Sequence, residues 1–165
     1  MEINALNQQN IDRVLTFLDS RSFTFVHGDY HGKQMFFPGE QGGHFAVIDW
    51  QFPFVAQGPW DFARMLGMCA DSEHRVAREH ELLQRYHQSL CDQGVANYSY
   101  DEMLVDFRFG LVVSQMIMSI ATKDTDISIL ARECDELGLD WRDVTFERTA
   151  RAIDDWDALD LIKSL

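Results

Sequence analysis

The chain has 165 residues, 46% of them hydrophobic and 25% charged, enough for one folded domain with a real core. A net charge of −13 leaves no basic stripe to replace the counterions of a nucleic acid, and it disfavours anionic membrane surfaces. No apolar run approaches the roughly 20 residues of a membrane span, and the first residues lack the basic-then-apolar layout of a signal peptide. Cys69, Cys91 and Cys134 are widely spaced and odd in number, which suits reduced thiols of a cytoplasmic protein better than disulfides or a zinc site.

Ile11, Val14, Leu15 and Leu18 recur at helical spacing and predict a helix over residues 7–19. Three β-type runs follow: Phe23–Val26, Met35–Phe37 and Phe45–Ile48. Pro38, Gly39, Gly42 and Gly43 mark a hairpin loop between the second and third. Residues 52–58 read as irregular, and Pro59 suits the first turn of a helix that turns Trp60, Ala63, Leu66 and Gly67 to one face. From Ser72 the pattern is helical throughout. Val76, Leu83, Tyr86 and Leu90 line one helix ending near Gly94, and Ser99 caps a second with Leu104, Phe107, Leu111 and Met118. A third covers Ile127–Leu137, and a last runs from Asp143 to the end with Phe146, Ala150, Ile153 and Leu161 inward. Helix, small sheet, then helices only reads as one α+β domain, mostly helical.

Asp29 and Asp49 each stand just beyond a short strand, where a sheet holds carboxylates at a fixed separation. Such a pair suits Mg²⁺ and phosphate chemistry, because Mg²⁺ takes one or two carboxylates and completes its shell with phosphate oxygens and water.

The sequences around them are His27-Gly28-Asp29-Tyr30-His31-Gly32-Lys33-Gln34, Ile48-Asp49-Trp50-Gln51 and Gly58-Pro59-Trp60-Asp61-Phe62-Ala63-Arg64. In this order they resemble the catalytic loop, the metal segment and the following helix of the aminoglycoside phosphotransferase and choline kinase-like family. That family lies within the protein-kinase-like superfamily, and the Asp-Trp-Gln variant is similar to its ecdysteroid kinase-like branch. The resemblance covers residues 23–67, and the helices over 72–165 fit the family's helical C-lobe without a specific motif. It implies an ATP-dependent kinase that transfers the γ-phosphate to the hydroxyl of a small-molecule alcohol, with Mg²⁺ and ATP required. Asp29 would accept or orient the hydroxyl proton, and Asp49 would bind Mg²⁺. His27 and Asp61 would support the loop, and His31 would be a loop or substrate-side residue.

Two departures stand out. Gln34 occupies the position of the asparagine that binds the second metal, with the amide oxygen kept but a methylene added. Only 22 residues precede Phe23, too few for the family's N-lobe, so the expectation is a C-lobe whose N-lobe is missing or comes from a partner chain. Its N-lobe-facing apolar surface should then be exposed or covered by that partner. A catalytically silent kinase-like interaction domain is the alternative of a different class. Gly28-Asp29-Tyr30-His31-Gly32 also resembles the first block of calcineurin-like metallophosphoesterases, whose later blocks do not occur here. His74, His80 and His87 read as surface histidines, and the methionines Met65, Met68, Met103, Met116 and Met118 as core filler. The cluster Asp154, Asp155 and Asp157 reads as a solvated face that could meet a cationic substrate.

Overall fold

The computed structural model describes residues 8–165, with side chains from residue 12 onward, so Ile11 lies outside the described side chains. α1 (Gln8–Asp19) leads into β1 (Thr24–Val26), and β2 (Met35–Phe36) and β3 (Ala46–Val47) form a short antiparallel hairpin. The segment expected to be irregular contains a fourth strand, β4 (Phe54–Ala56), antiparallel to β1 with Phe25 opposite Val55. Its three residues carry too little pattern to announce a strand between Pro53 and Gly58. Only pairing with β1 makes it one.

This nesting positions the chemistry. The β2–β3 hairpin is inserted between the paired strands β1 and β4, so residues 27–34 and 48–53 are the two crossings between the small sheets. Val26 and Ala56 face inward, where they meet Trp60. Phe25 and Val55 face outward and are about two-thirds exposed, and Phe25 stacks on exposed Trp50 at 6.2 Å. Phe23, Phe36 and Phe37 are also exposed, so the small sheets carry an uncovered aromatic surface.

The rest is helical: α2 (Trp60–Cys69), α3 (Ser72–Asp92), α4 (Tyr100–Ala121), α5 (Ile127–Glu136), α6 (Arg148–Asp155) and α7 (Ala158–Ser164). Mostly helical with small antiparallel sheets, the architecture is α+β and consistent with a kinase-like C-lobe. α4 begins with a capping box, in which Ser99 Oγ accepts from the Glu102 N–H and Glu102 Oε2 accepts from the Ser99 N–H. Contrary to the expectation above, α4 is long and apolar enough by length and composition to cross a membrane. Here it is the central core helix, with Met103, Phe107 and Leu111 fully buried against α2, α3, α6 and α7. Gly110 lets α2 close on it, since a Cβ there would stand 3.0 Å from that of Ala63. Buried Asp106 accepts from Arg21 and from the Tyr98 hydroxyl, both at 2.6 Å, tying the segment after α1 to the core.

The last helix is not continuous. A π turn at Asp143–Glu147 precedes α6, and Asp157, at φ +47°, separates α6 from α7. The extra residue of the π turn shifts the inward face. Thr145, Arg148, Thr149 and Ala152 are buried with Ile153, whereas Ala150 is exposed.

α3 departs from its expected face too: Val76 is exposed and Arg75 is fully buried. Arg75 donates to Glu79 at 2.6 Å and also to Asp155 on α6. Removing one partner of a buried pair strands the other charge. Arg75→Met therefore costs about 3–5 kcal/mol of unfolding free energy, and adding Glu79→Leu recovers most of it. Urea titrations of the two variants check this, and a single-variant loss under about 1 kcal/mol would show that water reaches Glu79.

Candidate active site

Residues 27–34 leave β1 and are pinned from α2. Asp61, in the first turn of α2, accepts from the backbone N–H of His27 at 2.7 Å and of Gly28 at 3.0 Å. Gly28 has φ +83°, and a Cβ there would lie 2.3 Å from the Phe52 carbonyl oxygen, so only glycine fits. His27 is buried between the two loops. Its Nδ1 accepts from the Asp29 N–H at 3.3 Å, so Nε2 carries the proton it donates to the Ile48 carbonyl at 2.8 Å. Trp50 packs against the same ring at 4.7 Å. One imidazole thus couples the Asp29 loop to the Asp49 loop.

Asp29 follows directly. Arg64 donates to Oδ1, and His31 Nε2 stands 3.5 Å from Oδ2. His31 first, and the Arg64 guanidinium after it, hold the Asp29 carboxyl well below the usual carboxylate range, with burial acting the other way. Asp29 is therefore an anion at any physiological pH. The sequence alone gives Arg64 no role. The available signal was a cation three residues after Asp61, on the inward face of a helix whose other inward residues are apolar.

Asp49 is exposed and adopts a left-handed backbone at φ +67°, uncommon outside glycine. Gln34 is buried, and its Nε2 donates to Asp49 Oδ2 at 2.9 Å. Among the described residues no group of three or more His, Cys, Asp or Glu converges as a metal cage. Mg²⁺ does not need one, since a carboxylate and an amide oxygen with phosphates and water fill its shell. Asp49 and Gln34 are a donor set of that kind.

Beside Asp29 a cleft of about 1070 Å³ opens between the loops and α2, α4 and α5. Phe52, Phe54, Met68, Ile117, Met118 and Leu130 make its wall predominantly apolar. Of the methionines expected to fill the core, Met103 is fully buried and Met65 packs against the core, whereas Met68 and Met118 line this cavity and Met116 is exposed. Lys33, from the loop after β1, bridges to Glu133 of α5 at 2.7 Å. The acidic cluster near the end of the chain does not line this cleft: Asp155 is held by Arg75, and the Asp157 carbonyl accepts from Arg108. A smaller cavity of about 430 Å³ near Trp141 touches none of the residues above.

The sequence profile of the ecdysteroid kinase-like family matches residues 2–96, which include all three motifs. The chain belongs to the ecdysteroid kinase-like family. As a member of the protein-kinase-like superfamily it has a phosphotransferase-type fold, and the metallophosphoesterase resemblance is set aside. Comparison with curated proteins and with solved structures finds no significant match.

Proposed function

We propose that this ecdysteroid kinase-like chain carries the catalytic half of an ATP-dependent phosphotransferase whose acceptor is the hydroxyl of an apolar small molecule. The observation that carries the reading is the anionic Asp29 at the edge of a cleft with an apolar wall. An acceptor rich in ammonium groups would find no acidic lining there apart from Asp29 itself. An apolar alcohol would bury its skeleton on Phe52, Phe54, Met68 and Ile117, and turn its hydroxyl to Asp29.

Phosphoryl transfer needs positioning and charge neutralisation more than covalent help. Asp29, with its lowered proton affinity, is a weak base toward a free alcohol. Its part is to accept the hydroxyl hydrogen bond, aim the oxygen, and take the proton late, once the new bond to phosphorus makes that oxygen acidic. Arg64 fixes the carboxylate for this, and His27 keeps the Asp29 and Asp49 loops in register. Asp49 and Gln34 would hold Mg²⁺, which neutralises phosphate charge when bound. The exposed face of Phe23, Phe25, Trp50 and Val55 would receive the nucleotide-covering lobe, whether from elsewhere in the same protein or from a partner chain.

Calorimetric titration of the chain with Mg²⁺ and ATP, beside Asp49→Ala, tests the nucleotide half of this reading. Binding in the parent that is lost in the folded variant is the expected result. No binding by the folded parent would turn the assignment to a silent interaction domain.

A further inference from the structure

Gln34 sits where the catalytic loop runs into β2, and its carbonyl accepts from the Ile48 N–H at 3.0 Å. That bond extends the β2–β3 ladder by one step and brings the Gln34 side chain alongside the next residue, Asp49. There its amide donates to Oδ2 at 2.9 Å. Asp49 holds a left-handed backbone, a conformation that persists in a non-glycine residue where surrounding contacts impose it.

The direction of this hydrogen bond follows from chemistry. A carboxamide oxygen turned toward Asp49 would set two acceptors in contact with no proton between them, so the amino group faces the carboxylate. A divalent cation reverses that preference, because it attracts both oxygens. The 2.9 Å Gln34–Asp49 separation is an ordinary N–H···O hydrogen bond, and it already places the two groups side by side within reach of a single cation. The two ends of a carboxamide are nearly equal in size, so a half-turn about its terminal bond exchanges nitrogen for oxygen without repacking the buried side chain.

We infer that Gln34 is a two-state element of the metal site. Its Nε2 holds Asp49 in place when no cation is bound, and its Oε1 turns to a divalent cation when one binds. This rests on the reading of Asp49 as the magnesium carboxylate and adds to it a defined rearrangement of one side chain.

The test is a titration of the ¹⁵N-labelled chain with magnesium chloride, followed by NMR. The Gln34 side-chain NH₂ pair is identified by its disappearance in Gln34→Met. The expected result is that this pair and the Asp49 backbone amide shift with one shared midpoint. Gln34→Met should raise the Mg²⁺ midpoint roughly tenfold or more, as loss of a metal-site partner does. Gln34→Glu should lower it, since a second carboxylate at that edge favours the cation. An Asp49 amide that moves while the Gln34 pair stays fixed overturns the two-state inference alone. So does an unchanged midpoint in both variants. No Mg²⁺-dependent shift at Asp49 overturns the metal reading and this inference with it.

Discussion

Under the proposed phosphotransferase reading, Asp29→Asn should lower kcat by roughly 10²–10⁴-fold in a complete, active assembly, the range lost when a positioned acid–base group is removed. The substitution keeps the shape and removes the charge, so acceptor KM changes little. Stability falls as well, because the Arg64 side chain is nearly buried and loses its counter-charge. Adding Arg64→Met should recover much of that stability while turnover stays lost. This separates a catalytic role from a structural one. Steady-state kinetics and urea unfolding of the three proteins measure both effects, and turnover within tenfold of the parent would remove Asp29 from the reaction.

The same pair makes a pH statement. A carboxyl whose folded pKa is depressed contributes stability that is fully present above its unfolded pKa of about 3.9. That contribution is lost as pH falls toward the folded pKa. The stability gap between the parent and Asp29→Asn should therefore be flat at neutral pH and narrow below about pH 4.

The second large effect is at Asp61. Asp61→Ala leaves the N–H groups of His27 and Gly28 without acceptors, and each stranded group costs about 1–3 kcal/mol. The loss should reach about 2–5 kcal/mol if water does not enter, and it falls on the turn that aims Asp29. Asp61→Asn keeps one acceptor oxygen and should lie between parent and alanine variant. Urea unfolding gives the stabilities, and amide exchange at His27 and Gly28 gives the local effect. Unchanged protection of those two amides would show that the loop does not depend on Asp61.

Much of the local structure was legible in the sequence for short-range reasons. Asp29 and Asp49 stand beyond short β runs because β-branched and aromatic residues in a row select extended backbone. The α4 start was legible because Ser99 and Glu102 form a cap within four residues of each other. Gly94 and Gly138, both at positive φ, follow α3 and α5 where their helical patterns stop. The positions of Gln34, His27 and Asp61 could likewise be read, since the motifs that contain them are contiguous.

What periodicity misjudged were the places where a distant partner overrides local preference. Val76 fits the apolar spacing of α3, yet the buried position belongs to Arg75, because Glu79 and an aspartate 80 residues away compensate its charge. The chain end reads as one helix, yet a π turn and a left-handed Asp157 break it where α6 and α7 must both reach the core.

By itself the sequence determined the family, the α+β class and the two loops that carry Asp29 and Asp49, because each depends on residues close together in the chain. Only the tertiary structure decided that Phe54–Ala56 is a strand, that Arg64 pairs with Asp29, that Gln34 donates to Asp49, and that methionines of α2 and α4 line an apolar cleft. Each of these is a contact between elements. A side chain's partner across such a contact is set by how the elements pack, and local spacing does not encode it.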